Sequence, residues 1–357
     1  MTGLFVEALY FGAWRTGWQM PAAIHRTFVD TALDVGARSG PHRRNAVRCC
    51  LCACVPVGHD YHEYSMLIST LFNGRSLTPS LQAEPCVPWW SFTKTVLAAT
   101  ALTLVRDGRL ALDTALPETP YTLRQLLRHE AGLADYCKLA EYYAAVAKHE
   151  PVWPVDEMMQ RLDGARLRYA PGAGWRYSNV GYMLVARLIE RATGLPLEEA
   201  LRQQVLAPLG ISAVRLASKR ADLNGDYLGD SLNYDPGWVY HGLLIGPVSQ
   251  AALLLDRLLA GALLPAELLQ EMQVTKVLGG PMAGRPWIAP GYALGLMRGA
   301  VEGGLTLAGH TGCGPGSVVA VYRCAVGEAV ACCAVFSMEL DEGSVEAVVV
   351  REIRKVL

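Results

Sequence analysis

The sequence predicts an α/β fold of the α+β kind, in which an antiparallel sheet is flanked by helices and carries an inserted all-α lobe. Within a main domain over residues 86–357, apolar runs of strand length lie at about 290–357, whereas about 114–285 is dominated by helical patterns. The stretch Ser91–Asp107 is apolar nearly all round and predicts a buried helix. These features predict one sheet assembled from both ends of the chain, with a cleft between sheet and lobe.

The N-terminal region, residues 1–85, gives the weakest pattern and is predicted to be a divergent segment. An apolar stripe over residues 22–35 predicts an amphipathic helix there. Cys49–Val57 and Met66–Phe72 are possible first strands of the sheet.

The elements of the main domain follow from apolar spacing and from end signals. Gly108 ends the helix Ser91–Asp107, because glycine favours the left-handed conformation of a helix C-cap. Further helical patterns cover Leu123–Leu127, Ser178–Gly194, Leu197–Leu206 and Ser344–Leu357. Strands are predicted for Tyr292–Met297, Leu305–His310, Ser317–Tyr322 and Val330–Phe336.

Charge and hydropathy narrow the possible partners. The chain has 32 basic and 33 acidic side chains, a net charge of −1, which predicts no nucleic-acid partner. Its longest apolar runs, such as Val96–Val105 and Ala329–Met338, are shorter than the roughly 20 residues of a membrane-spanning helix, so no membrane span is expected. The first thirty residues lack a secretory-signal pattern, which favours a cytoplasmic protein.

The ten cysteines are scattered and do not form the framework of a disulfide-rich domain, so reduced thiols are expected. One cluster, followed by two histidines, could hold a soft metal ion. It consists of Cys49, Cys50, Cys52, Cys54, His59 and His62. Because the spacing lacks two paired C-x-x-C units, a buried strand of small residues is favoured there, and the sequence predicts no metal and no cofactor.

The segment Ser91-Phe92-Thr93-Lys94 places a hydroxyl in the first turn of a helix and an amine three residues later on the same side. Serine becomes a useful nucleophile if burial lowers the pKa of the lysine so that the amine can accept the proton. The alternative is that Ser91 simply caps the helix.

Two further segments carry polar groups suited to the same chemistry. In Tyr177-Ser178-Asn179, a phenol could share the serine proton and an amide could bind a carbonyl group, although Ser178 or Asn179 could merely cap the next helix. In the glycine-rich run 309–316, His310 and Thr311 offer donors beside a strand edge where a substrate could lie. A glycine-rich turn without a catalytic role is the alternative.

Together these motifs resemble the penicillin-recognising serine enzymes, in which Ser-x-x-Lys, Tyr-x-Asn and Lys/His-Thr-Gly occur in this order. The resemblance covers about residues 88–340 and is nearest to class C β-lactamases, DD-carboxypeptidases, D-aminopeptidases and related esterases. It implies a β-lactamase/transpeptidase-like fold. It further implies Ser91 as the acylated nucleophile, Lys94 with Tyr177 as the general base pair, and Asn179 as a substrate-orienting residue.

By the same resemblance, the backbone N–H groups of Ser91 and Cys313 would form the oxyanion hole, and His310, Thr311 and Gly312 would contact the substrate. A small ester, amide or peptide substrate is implied. His310 replaces the lysine of efficient β-lactamases, which favours an esterase or peptidase over a β-lactamase. A penicillin-binding-like sensor or scaffold without turnover is the alternative from another class.

Several other residues are weaker candidates. His129 is predicted to be a structural hydrogen-bonding residue on a helix, and Trp89 and Trp90 to be core residues beside the serine. Tyr240 and His241, in the loop after Asp235, could line the cleft. The sequence does not predict an oligomeric state.

Overall fold

The computed structural model describes residues 66–79, 84–223 and 233–357 of the chain. The predicted helix over residues 22–35 and the possible strand Cys49–Val57 lie outside the described residues.

Twelve strands in the described ranges form two antiparallel sheets. The strands are β1 (Met66–Phe72), β2 (Arg75–Ser76), β3 (Val87–Pro88), β4 (Arg215–Ala217), β5 (Leu243–Gly246), β6 (Lys276–Val277), β7 (Trp287–Ala289), β8 (Gly291–Tyr292), β9 (Met297–Val301), β10 (Thr306–Gly314), β11 (Ser317–Val326) and β12 (Ala329–Ser337). The main sheet has the order β2-β1-β12-β11-β10-β9-β8-β6, with β7 also paired to β9, and the small sheet has the order β3-β5-β4.

Both ends of the chain contribute to the main sheet, as predicted. β1 pairs with β12 along its whole length, from Met66 opposite Ser337 to Phe72 opposite Ala331. The predicted strand Met66–Phe72 is therefore confirmed, and so is the α+β fold class with its antiparallel sheet.

Nine α-helices accompany the sheets in the described part of the chain. They are α1 (Thr93–Arg106), α2 (Leu123–Leu127), α3 (Ala140–Ala147), α4 (Val155–Arg161), α5 (Asn179–Thr193), α6 (Leu197–Leu201), α7 (Val248–Leu259), α8 (Ala266–Gln273) and α9 (Glu342–Val356). A π-helical turn, Arg202–Leu206, continues α6. Among these described helices, none combines the length and the apolar character needed to cross a membrane.

Two predictions need correction. The region 114–285 is not all helical, because β4, β5 and β6 lie within it. β5 pairs on one side with β4 and on the other with β3, which lies just before Ser91. The predicted strand Tyr292–Met297 is interrupted by a turn between β8 and β9, where Gly295 has a left-handed φ of 72°. An ideal Cβ at Gly295 would lie 2.4 Å from the Cβ of Ala98, so this turn packs closely on α1.

α1 is the central buried helix that the sequence predicts. Every residue from Thr93 to Leu104 is buried, and the helix ends before Gly108, which has a φ of 68°. The helix begins two residues later than predicted, because Trp90–Phe92 form a 3-10 turn. Ser91 therefore lies in a tight turn just ahead of α1.

Candidate active site

Ser91, Lys94 and Tyr177 are in direct contact. The Oγ of Ser91 is 3.1 Å from the Nζ of Lys94 and accepts a hydrogen bond of 2.9 Å from the Oη of Tyr177. The alternative role of Ser91 as a helix cap is wrong, because Phe92 occupies the N-cap position of α1 and no side chain caps that end. The hydroxyl of Ser91 is instead held by two side chains with acid–base chemistry.

The turn that presents Ser91 is held by its tryptophan neighbours, both of which are core residues as predicted. Trp90 has a φ of 38°, which is unusual for a bulky residue. Its Nε1 donates to the Oγ of Ser317 at 3.0 Å, and its ring packs against Tyr234. The indole of Trp89 donates to the backbone oxygen of Gly246 at 3.2 Å. These contacts fix the backbone on which Ser91 sits.

Lys94 is fully buried, and desolvation lowers the pKa of its amine from 10.5 to about 7. The carboxylate of Asp135 opposes that shift by favouring the charged amine. The Nζ of Lys94 also lies 5.1 Å from the ring centroid of Tyr177 and 5.7 Å from that of Tyr182. Near neutral pH, a substantial fraction of Lys94 is therefore the uncharged amine.

Tyr177 is a neutral phenol in this environment. Burial raises its pKa well above the usual value of 10, although the hydrogen bond to Ser91 acts in the opposite direction. Its ring packs on His129 with centroids 4.3 Å apart. His129 in turn accepts a hydrogen bond from the backbone N of Ser178 at 3.1 Å. His129 is thus structural, as predicted, but it follows α2 in a left-handed conformation instead of lying on the helix.

Asn179 begins α5 and is held by Asp135. The backbone N and the Nδ2 of Asn179 donate to the same Oδ1 atom of Asp135, at 3.2 and 3.0 Å. Ser178 is the N-cap of α5, because its Oγ accepts from the backbone N of Gly181. Sequence reasoning missed Asp135, since its partner is 44 residues away and no local motif marks it.

β10 lies directly against the Ser91 turn at Gly312. An ideal Cβ on Gly312 would be 2.5 Å from the backbone N of Ser91 and 2.7 Å from the Cβ of Trp90. Any larger residue would therefore separate the strand from the turn. His310, on the same face of the strand, is fully buried and contacts the Oη of Tyr292 at 3.0 Å. Burial lowers the pKa of His310 to about 3, so its ring is uncharged.

Thr311 lies on the opposite face of β10, because successive side chains of a strand alternate. Its Oγ1 contacts the Oη of Tyr322 at 2.7 Å and donates to Glu346 of α9 at 2.5 Å. That Thr311 contacts substrate stays a prediction, and its hydroxyl already has two protein partners. The Thr311 side chain is part of a buried hydrogen-bond network on the face of the sheet that packs against α9.

The far end of β10 has an open edge. A two-residue turn joins β10 to β11, with Gly314 opposite Ser317. In such a hairpin the pair beside the turn is hydrogen-bonded and the next pair is not, so the backbone N–H of Cys313 points away from β11. β9 pairs with β10 only as far as Gly309 among the described residues. The N–H of Cys313 therefore faces an edge where another group can bind.

His241 also belongs to this cluster. Its Nε2 lies 2.7 Å from the Nζ of Lys94, and its ring is buried. Burial, with a smaller effect of the charge on Lys94, lowers the pKa of His241 well below its usual value. Tyr240 beside it contacts no group of the cluster in the described hydrogen bonds and donates to the backbone oxygen of Trp153 at 3.0 Å.

No group of acidic, cysteine or histidine side chains in the described ranges has the arrangement of a metal site. The candidate ligands Cys49 to His62 lie outside the described residues.

The site combines three features: a serine one helical turn before a buried lysine, a phenol that is hydrogen-bonded to that serine, and an open strand edge beside them. This combination defines the class of Ser-x-x-Lys proteins. The chain belongs to the beta-lactamase family, whose family model matches residues 71–340, well over half of the chain. This membership confirms the resemblance drawn from the three sequence motifs.

Individual curated relatives share about a third or less of their residues with this chain over the matched segments. The chain is 33% identical over 141 residues to Esterase EstB of Burkholderia gladioli, covering 34% of this chain and 36% of that protein. It is 28% identical over 251 residues to a D-aminopeptidase of Brucella anthropi, covering 67% of this chain and 47% of that protein. The chain thus spans about a third to a half of the length of these curated relatives.

Among solved structures, the chain is similar to a D-amino acid amidase from Ochrobactrum anthropi SV3, with a TM-score of 0.64. The two are 20% identical, and the match covers 82% of this chain and 93% of the amidase. At this level of identity the likeness supports the fold.

Proposed function

We propose that this protein is a serine hydrolase that cleaves an ester or amide through an acyl-enzyme on Ser91. The observation that carries the proposal is the 3.1 Å contact of the Ser91 hydroxyl with the fully buried amine of Lys94. Burial lowers the pKa of this amine to about 7. A lysine with its ordinary pKa would be protonated at neutral pH and could not accept the serine proton.

In the acylation step, the Oγ of Ser91 attacks the substrate carbonyl carbon while its proton passes to the Nζ of Lys94. The raised pKa of Tyr177 disfavours a phenolate, so Lys94 is the base and Tyr177 is a hydrogen-bond donor. The tetrahedral intermediate then expels the alcohol or amine, which receives a proton from the Lys94 ammonium, directly or through the Tyr177 hydroxyl. Water attacks the acyl-enzyme by the same sequence in reverse and releases the acid.

The backbone N–H groups of Ser91 and Cys313 are suited to hold the oxyanion of that intermediate. The close approach at Gly312 brings the Ser91 turn beside β10, and the N–H of Cys313 points to the open edge of that strand. Donors fixed in the backbone need no reorganisation when charge develops on the carbonyl oxygen. Asn179, held in place by Asp135, is the proposed ligand of the substrate amide or carbonyl group.

An esterase or amino-acid amidase or peptidase role is favoured over a β-lactamase role. The relatives named above include an esterase and a D-aminopeptidase. Penicillins carry a carboxylate, and the uncharged ring of His310 supplies no positive charge where efficient β-lactamases have a lysine. Substrate binding along the open edge of β10 suits a short acyl or peptidyl group.

We also propose a cytoplasmic location. Six cysteines in the described ranges are free, and Cys332 and Cys333 are adjacent and buried. Reduced thiols are typical of the cytoplasm, where disulfides are rare. Cell fractionation with an antibody to the chain tests this location, and recovery in the culture medium would exclude it.

The pH dependence of hydrolysis tests the proposed function. With p-nitrophenyl butyrate and D-phenylalanine amide as substrates, we expect kcat/KM for at least one to rise with pH and level off above about 7. The rise follows because the neutral, proton-accepting form of Lys94 becomes dominant as the pH passes its pKa. Absence of turnover on both substrates and on nitrocefin, with the protein folded, would contradict the hydrolase proposal and favour a binding protein.

Replacing Gly312 by alanine is expected to lower kcat/KM by about 100-fold or more, because displacing the strand by roughly 1 Å misplaces the oxyanion donors. The matched control is Gly280→Ala, since an ideal Cβ at Gly280 meets no atom within 4 Å. Kinetics of both variants against p-nitrophenyl butyrate check the expectation. Equal activity of the two variants would show that close approach of β10 is unnecessary.

A further inference from the structure

His241 is a buried histidine that the proposed hydrolysis does not yet use. Its exposed fraction is 2%, and it lies in the loop just before β5. The distance of 2.7 Å between its Nε2 and the Nζ of Lys94 is shorter than the 3.1 Å between that Nζ and the Oγ of Ser91. Lys94 is therefore bound between a hydroxyl and an imidazole.

The direction of the hydrogen bond follows from the protonation of the two groups. An ammonium has donors but no acceptor, so His241 must offer a lone pair on Nε2 whenever Lys94 is charged. Burial is the main cause of the lowered pKa of His241. The titratable groups Lys94 on α1 and His310 on β10 lower it further, and backbone hydrogen bonds at Gly242 and His241 act in the opposite direction. The imidazole thus stays neutral, and whenever Lys94 is charged the ring proton must lie on Nδ1 so that Nε2 accepts from Lys94.

We propose that His241 is a positioning residue for Lys94: its neutral imidazole accepts one N–H of the amine, directs the amine lone pair toward Ser91, and stabilises the ammonium formed when the serine proton is transferred. This assignment rests on the proposed role of Lys94 as the base. No covalent bond to His241 forms or breaks, and the proton stays on Lys94 until it passes to the leaving group.

The geometry explains why such an acceptor is needed. Lys94 is fully buried, and a buried ammonium without an acceptor would be costly to form. Burial alone makes the resting amine neutral, but it also opposes the charge that appears on Lys94 during acylation. An acceptor at 2.7 Å offsets part of that cost without adding a negative charge that would keep the resting amine protonated.

Two substitutions at His241 test whether its role is to accept a hydrogen bond from Lys94 or only to fill space. His241→Leu places an apolar side chain of similar bulk at this position and removes the acceptor. We expect kcat to fall by about 10- to 100-fold and KM to change less than about threefold. The rise of kcat/KM with pH should move to lower pH, because the Lys94 ammonium is no longer stabilised. His241→Gln places an amide oxygen where Nε2 lies, so we expect the pH profile to return to that of the wild type and most of kcat to be recovered.

Two results would overturn the proposal. In the first, His241→Leu keeps the wild-type kcat and pH profile; in the second, His241→Gln is as impaired as the Leu variant. The matched control is His149→Gln, at an exposed histidine, which should leave both unchanged. His241→Met is the second apolar replacement if thermal melting shows that the Leu variant does not fold.

A direct titration of Lys94 distinguishes failure of this proposal from failure of the proposed function. The chain has six lysines, so 15N-lysine labelling gives few side-chain signals, and Lys94→Met identifies the signal of interest. We expect the Lys94 amine to titrate near 7 in the wild type, lower in His241→Leu and near 7 in His241→Gln. An unchanged pKa in the Leu variant would refute the role of His241, even if the protein hydrolyses no tested substrate.

Discussion

Replacing Ser91 by alanine is expected to lower kcat/KM for p-nitrophenyl butyrate by at least about 10⁴-fold, because the proposed acyl-enzyme forms on the Ser91 hydroxyl. The residual rate would come from the oxyanion donors and from substrate binding. The side chain does not cap α1, so its loss should leave thermal stability nearly unchanged. Steady-state kinetics and thermal melting of wild type and variant check both parts.

The matched control for this substitution is Ser76→Ala. Ser76 is an exposed serine of β2, and its hydroxyl donates only to the backbone oxygen of Thr78 in the described contacts. We expect this variant to keep wild-type kinetics. If Ser91→Ala retained more than about a tenth of the activity, the nucleophile would have to be another residue.

Among the substitutions proposed for this protein, Glu346→Ala should lower the free energy of unfolding most. Glu346 is fully buried on α9, and its carboxylate binds the Nε of Arg285 at 2.7 Å and the indole Nε1 of Trp287 at 3.0 Å. It also accepts from Thr311 and from the Oη of Tyr322. Removing the carboxylate leaves the buried guanidinium of Arg285 with less compensation, and it takes an acceptor from three further donors, on Trp287, Thr311 and Tyr322. We expect the free energy of unfolding to fall by about 3–5 kcal/mol.

Urea denaturation of the wild type, Glu346→Ala and Glu352→Ala measures this loss. Glu352 is the matched control, because it lies on the same helix and pairs with the exposed side chains of Arg351 and Lys355. A surface pair of this kind contributes about 1 kcal/mol or less. Equal free energies of unfolding for the two variants would contradict the claim that the buried network around Glu346 stabilises the fold.

The central motif could be predicted from the sequence because it is local. Ser91 and Lys94 are three residues apart, and helical geometry alone brings such side chains to one side. The strands were also readable where apolar runs were continuous, as in β11 and β12. The resemblance to the penicillin-recognising serine enzymes then indicated the role of Tyr177, whose contact with Ser91 spans 86 positions of the chain.

Other features of the site depend on distant contacts that no local pattern encodes. The pairing of His241 with Lys94 spans 147 positions, and that of Asp135 with Asn179 spans 44. The sequence also did not indicate which face of β10 carries the Thr311 side chain. A strand pattern gives the alternation of side chains, but the packing of α9 and the Ser91 turn decides which face each side chain takes.

The measurement that tests the account most directly is intact-mass spectrometry after incubation with a fluorophosphonate, followed by peptide mapping. A single adduct on Ser91, absent from Ser91→Ala and formed faster as the pH rises through about 7, is the predicted result. A folded wild-type protein that forms no adduct, or an adduct on another residue, would contradict the proposed acyl-enzyme chemistry.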